Sequence, residues 1–207
     1  MTADLQLEPL RAADARDLAH LHQRAFPGFF LSTLGPGFLA EFYRGFVGDE
    51  SAVTVVARDQ GGQLCGAVVG TTEPAGFFGR LVRRRLIGFA WASVRAVVRH
   101  PSAAPRLLRA VRYRGDAPTE AQGALLSSIC VEPATQGKGV GARMLADWLR
   151  QVDERGTTDA YLTTDAVGND AVNAFYQRQG WSVRDTHTTP EGRAMHRYVI
   201  HLDGQTC

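Results

Sequence analysis

Apolar and polar positions alternate along the chain with two periods, and the switches between them mark out the elements. Leu5 to Glu8 reads as a short strand. Asp14 and Asp17 resemble a helix start, followed by Leu18, Leu21 and Ala25 at helical spacing. An aromatic and glycine-rich loop, Phe26-Pro27-Gly28-Phe29-Phe30, leads to Pro36, after which Leu39, Phe42, Tyr43 and Phe46 outline a second amphipathic helix that Gly48 ends. Valine-rich runs at Ala52 to Arg58 and Gln63 to Thr71 flank Asp59-Gln60-Gly61-Gly62, the pattern of an antiparallel hairpin.

Further on, Leu86, Phe89, Trp91, Val94, Val97 and Val98 predict one or two helices interrupted around Pro101 and Pro105. A strand follows at Leu125 to Val131, then a glycine-rich turn and a helix whose Met144, Leu145, Trp148, Leu149 and Val152 share one face until Gly156. Tyr161 to Thr164 is the next strand and Asp170 to Arg178 the next helix, stopped by Gly180. Trp181 to Thr188 and Met195 to Leu202 close the chain as a strand pair. The reading is one α/β domain over residues 1–207, with a helical insertion at 74–123.

Composition narrows this picture in two places. Three cysteines, Cys65, Cys130 and Cys207, form no C-x-x-C pair, so neither a disulfide framework nor a metal site is expected, and a reducing, cytoplasmic compartment fits best. Met1 to Leu18 lacks the apolar run of a secretory leader, and no stretch is apolar enough to span a membrane. The net charge of +2 hides an asymmetry: from Gly76 to Asp116 there are ten arginines against one acid, so this segment carries +9 and the remainder −7. Such a block suits an anionic partner, although solvated helix faces also collect arginine. Its arginines alternate with bulky apolar residues, as in a packed lid or a helix pair lying on a surface, and it carries no nucleic-acid recognition motif.

The candidate chemistry lies between the strand ending at Val131 and the following helix, in Glu132-Pro133-Ala134-Thr135-Gln136-Gly137-Lys138-Gly139-Val140-Gly141. Alternate glycines let the backbone approach a ligand, and a helix start aims unpaired N–H groups and a positive dipole end at it, which suits a diphosphate. A Walker loop requires Ser or Thr after Gly-Lys, but Lys138 is followed by Gly139; the dinucleotide pattern requires glycine at the position of Ala142.

Gln136, Gly139 and Gly141 match the Gln/Arg-x-x-Gly-x-Gly/Ala signature of the GNAT superfamily of N-acetyltransferases, which the chain resembles from about Leu125 to Trp181. Val131-x-Pro133 and Asn169, seven residues before Tyr176 in Asn173-Ala174-Phe175-Tyr176, agree with the same pattern. The long stretch between the hairpin and Leu125 departs from the minimal family. The resemblance implies a mixed central sheet with two splayed parallel strands and flanking helices. It further implies that acetyl-CoA, or another acyl-CoA, is cosubstrate and that an amine is acylated by direct attack in a ternary complex. The pantetheine arm is then expected along Ile129, Cys130 and Val131, with the Val131 N–H on the thioester carbonyl. The pyrophosphate is expected on the N–H groups of Gln136, Gly137, Lys138, Gly139, Val140, Gly141 and Ala142.

The same resemblance gives Tyr176 the role of protonating the departing thiolate, with a core tyrosine beside Phe175 as the alternative. Asn169 is expected to cap its helix and to contact the cofactor, with Asn173 a further contact one turn on. Lys138, the only lysine, is either a phosphate ligand or a solvated loop charge. For the base that deprotonates the amine the first choice is Asp165, ahead of Glu73 and His196. Cys130 without a histidine partner reads as a core residue rather than a nucleophile. A small-molecule or sugar-linked amine is the expected acceptor, with monomer and homodimer both open. A non-catalytic acyl-CoA sensor is the alternative.

Overall fold

The computed structural model describes residues 5–99, 122–190 and 192–202. Seven strands form one mixed sheet in the order β1-β2-β3-β4-β5-β7-β6. They are β1 (Gln6–Glu8), β2 (Ala52–Arg58), β3 (Leu64–Thr71), β4 (Ala124–Val131), β5 (Asp159–Asp165), β6 (Ser182–Thr188) and β7 (Ala194–His201). Neighbours are antiparallel except β4 and β5, which run parallel. The helices are α1 (Ala15–Ala25), α2 (Phe30–Thr33), α3 (Pro36–Arg44), α4 (Phe77–Arg84), α5 (Leu86–Arg99), α6 (Val140–Glu154) and α7 (Asp170–Arg178).

The period-2 pattern of the strands distributes side chains to two cores. On one face Met144, Leu145, Trp148 and Val152 of α6 and Tyr176 of α7 pack on Val53, Val55, Leu126, Leu162 and Tyr198. On the other, Leu18 and Leu21 of α1, Phe42, Tyr43 and Phe46 around α3, and Phe77, Leu81 and Phe89 of α4 and α5 cover Val56, Ala67, Val69 and Cys130. Trp148 is wholly buried and its indole N–H donates to the Val53 carbonyl at 3.0 Å, fixing α6 across the sheet.

The decisive irregularity lies in β4. Its parallel pairing with β5 stops after Ala124↔Ala160 and Leu125↔Tyr161, although both strands continue. On the other side of β4 the register shifts at the same place, with Gly70 opposite Leu126 but Val69 opposite Ser128, leaving Ser127 as an extra residue. A bulge bends a strand and increases its twist, and here it turns β4 away from β5. Gly70 makes room for it: a Cβ there would lie 2.4 Å from both the Leu125 carbonyl oxygen and the Trp148 ring.

The arginine-rich stretch forms two helices, but among the described residues the break falls at Arg85, the C-cap of α4. The interruption expected at Pro101 and Pro105, and the charges at Arg106, Arg109, Arg112, Arg114 and Asp116, lie outside the described residues. Arg85 is tied to Glu41 of α3, with Nε–Oε2 at 2.8 Å, and Arg84 to Asp49 at 2.9 Å. Part of the block's charge is therefore turned inward onto buried carboxylates.

Gly70→Ala should destabilise the protein by about 1–3 kcal/mol, because neither the Leu125 backbone nor Trp148 can yield. Gly79→Ala in α4, where an added Cβ meets nothing within 4 Å, should instead leave stability unchanged or raise it by up to about 1 kcal/mol. Urea denaturation of the two variants checks the contrast in sign.

Candidate active site

Beyond Leu125 one edge of β4 has no strand beside it. Glu132 N–H donates to the Cys65 carbonyl at 2.8 Å, so Cys130 and Ser128 face β3 in the ladder, and Ile129 and Val131 turn their N–H and C=O groups to the side β5 has left. The Val131 carbonyl receives the Gln136 side-chain amide at 3.4 Å. The extended edge and the glycine loop thus meet at one point.

The loop descends from a 3-10 turn at Pro133–Thr135 and passes through Gln136 in extended conformation. Gly137 and Gly139 then take φ of 76° and 81°, the left-handed region where only glycine is unstrained. Gly139 is the N-cap of α6 and offers no side chain, so the N–H groups of Val140, Gly141 and Ala142 have no intrahelical acceptor. Val140 is buried, whereas Gln136, Gly137, Lys138 and Gly139 are exposed. A Cβ on Gly141 would stand 3.5 Å from Val131 Cγ2 and 3.6 Å from Phe175 Cζ. The start of α6, the end of β4 and α7 therefore converge there.

Asn169 does not cap α7 with its side chain, as its position had suggested. Its amide instead donates to Thr164 Oγ1 at 2.8 Å and to the Asp165 carbonyl at 3.3 Å, holding the start of α7 to the end of β5. Asn173 repeats this contact at 3.2 Å and receives the Tyr198 hydroxyl at 3.4 Å, so both ends of its amide are engaged by protein. Tyr176 stacks among Phe175, Trp181 and Tyr198 at centroid distances of 5.3, 6.0 and 5.7 Å. Its hydroxyl has no hydrogen-bond partner among the described residues, and burial raises its proton affinity above that of an ordinary phenol. It is an O–H donor throughout the neutral range.

The proposed bases separate. Asp165 ends β5 and is gripped by the Arg193 guanidinium through both carboxylate oxygens, at 2.6 and 2.7 Å. Arg193 also lies 5.4 Å over the Phe29 ring. Glu73 follows the end of β3 that pairs with Leu125, whereas Gly66, opposite Val131, marks the loop end, about 23 Å away along the strand. Glu73 is thus not part of this site. His196 stands opposite Thr164 and bonds Thr186 at 2.8 Å. Cys130 is buried and its thiol is pushed up to about 12 by loss of solvent, so it remains protonated and is no nucleophile.

Sequence reasoning missed a polar cluster on the α1 side of β4. His22 Nδ1 and the Tyr43 hydroxyl are 2.6 Å apart, and that hydroxyl lies 3.5 Å from Ser128 Oγ and 3.8 Å from Cys130 Sγ. Phe26 packs on His22 at 4.9 Å and on Phe29 at 5.6 Å, so aromatic contacts run from β4 across the gap to Arg193 and Asp165. The polar signals, a histidine in α1 and a tyrosine in α3, are 21 residues apart, and nothing local joins them.

His22 is 3% exposed, its Nε2 has no partner among the described residues, and burial lowers its pKa from 6.5 to about 4. Between those values the unfolded chain binds a proton that the folded chain does not. Its contribution is fully favourable above pH 6.5 and declines as pH falls, reaching a loss of about 3 kcal/mol near pH 4. Urea melts across this window should show a shallower loss of stability for His22→Gln than for wild type. Parallel profiles would contradict the neutral buried imidazole.

The acetyltransferase (GNAT) family model matches residues 15–181. No curated protein matches the sequence. Among solved structures, an acetyltransferase of the GNAT family from Desulfovibrio desulfuricans superposes with a TM-score of 0.63 at 15% identity, covering 95% of this chain and 98% of that one. The ribosomal-protein-S18-alanine N-acetyltransferase of Escherichia coli gives 0.57 at 14% identity and 98% coverage of both chains. Mutant forms of the spermidine/spermine N-acetyltransferase SpeG of Vibrio cholerae give 0.55 at 16%, covering 96% of this chain and 95% of that one. At such identities the likeness is one of fold, and with the family match over most of its length the chain belongs to the GNAT acetyltransferase family.

Proposed function

We propose that this protein transfers an acetyl or other short acyl group from acyl-CoA to a primary amine by direct attack within a ternary complex. The observation that carries the reading is the parting of β4 from β5 after Leu125, which leaves Ile129 and Val131 as a free edge beside the glycine loop. Acyl-CoA supplies the activated thioester. Ile129 offers the backbone groups of a missing strand, and the Val131 N–H stabilises negative charge developing on the thioester oxygen. The N–H groups of Gly137, Gly139, Val140, Gly141 and Ala142 hold the pyrophosphate at the positive end of α6, with the Lys138 side chain beside them, while the Gln136 and Lys138 N–H groups turn back onto the Pro133 and Thr135 carbonyls. Gly141 keeps the entrance open between Val131 and Phe175.

The amine enters from the α1 side, between the aromatic loop and the end of β5. Phe26 and Phe29 wall this approach, and Asp165, giving up part of its contact with Arg193, takes a proton from the amine nitrogen as it attacks and returns one to Tyr176 through solvent after transfer. The C–N bond forms, the C–S bond breaks, and Tyr176 gives its proton to the thiolate. Asn169 and Asn173 act by holding α7, and therefore Tyr176, to the end of β5. The aromatic approach favours a small or sugar-linked amine. The S18-alanine and spermidine/spermine enzymes of the same fold carry amine substrates in their names, which supports the reaction class.

Thiol release from acetyl-CoA with a panel of primary amines tests the assignment. Turnover with at least one amine is expected, while CoA binding without release for any amine would favour a sensor. With the acceptor in hand, Tyr176→Phe should slow single-turnover transfer by roughly ten- to ten-thousand-fold at nearly unchanged CoA affinity. Equal rates would return Tyr176 to a packing role.

A further inference from the structure

Helix α5 has the wrong face outward. Its inner side packs as expected: Phe89 is buried and stacks on Phe38 at 4.9 Å, Gly88 lies against Glu41 and Ala92 near Gly37. On the outer side Leu86 is 60% exposed, Ile87 78%, Trp91 75% and Val94 60%, with Ala90 between them also exposed. At about 100° per residue these five positions fill one arc of roughly 140°, and no polar residue interrupts it. Val82 of α4 is also exposed. A surface helix ordinarily turns its polar stripe outward, and a contiguous exposed apolar patch marks an interaction site.

The charge carried by this stretch of sequence selects the occupant. From Arg80 to Arg114 the chain has ten arginines and no acid. Arg80, Arg84 and Arg85 are drawn to Asp49 and Glu41, whereas Arg83 is exposed and without an ion pair among the described residues. A second copy seated on this arc would bring two arginine blocks together. The strip from Leu86 to Val94 is also only about 12 Å long, small against the roughly 800 Å² per partner of a stable dimer. A bilayer with anionic headgroups meets both features: the apolar arc enters the headgroup boundary, the Trp91 ring sits at the interface and arginines meet lipid phosphates. No helix among the described residues is long and apolar enough to cross a membrane, so the contact is a surface one.

We propose that the exposed apolar arc of α5, which lies in an arginine-rich stretch of sequence and follows the exposed Arg83, docks the protein on an anionic lipid bilayer. Co-sedimentation of the full chain with phosphatidylcholine vesicles, with and without about one third phosphatidylglycerol, tests this. Binding is expected only to the anionic vesicles, with Trp91 emission quenched by brominated acyl chains. Ile87→Glu combined with Trp91→Glu should weaken binding by about tenfold or more. Both side chains face outward, so the fold should tolerate the change. Arg83→Glu should weaken binding less, and its deficit should shrink as salt rises. The proposal is overturned if the anionic vesicles fail to bind the chain, or if the double variant binds like wild type. It also fails if ultracentrifugation shows a dimer that the double variant abolishes, which would give the arc to a second copy.

Discussion

A strand that loses its neighbour partway along must leave backbone polar groups without partners, and the functional architecture here is organised around that deficit in β4. Buried N–H and C=O groups are costly when unpaired, so an unpaired edge inside a sheet persists only where something else satisfies it. In this protein the edge is produced locally. Ser127 is the extra residue of a bulge, Gly70 admits it against Leu125 and Trp148, and β5 pairs with β4 only up to Leu125. An acyl-CoA whose pantetheine amides complete the ladder is a chemically matched occupant.

Everything else at the site keeps this gap open and chemically quiet. Trp148 anchors α6 to the sheet through Val53, fixing where the loop donors point. Asn169 and Asn173 fasten α7 to the carbonyl of Asp165, bracing the far wall. The groups that could interfere are neutral by burial: Cys130 keeps its proton, His22 lacks one, and Tyr176 retains its phenolic hydrogen.

What was legible in the sequence follows from range. The loop could be read because Gln136, Gly137, Gly139 and Gly141 act through local backbone shape, and the elements could be read because their periodicities are local. The parting of β4 and β5 was visible only through family resemblance, since its cause couples Ser127 to Gly70 and to Trp148 through packing. Asn169 was misread as a cap because the rule weighs its position at a helix start and not the nearby Thr164 hydroxyl and Asp165 carbonyl. Asp165 could be placed at a strand end, but its bidentate partner Arg193 lies 28 residues on. The +9 count for the arginine block could not show that Arg84 and Arg85 turn onto Asp49 and Glu41 while the apolar arc of α5 faces out.

The central claim, that the free edge of β4 receives the acyl-CoA arm, is tested most directly by residue-resolved amide hydrogen exchange with and without saturating CoA. The Ile129 and Val131 amides should exchange markedly more slowly in the complex, while that of Cys130, already paired with Ala67 across β3, should change little. Unchanged exchange at Ile129 and Val131 in a chain that demonstrably binds CoA would place the arm elsewhere and contradict the claim.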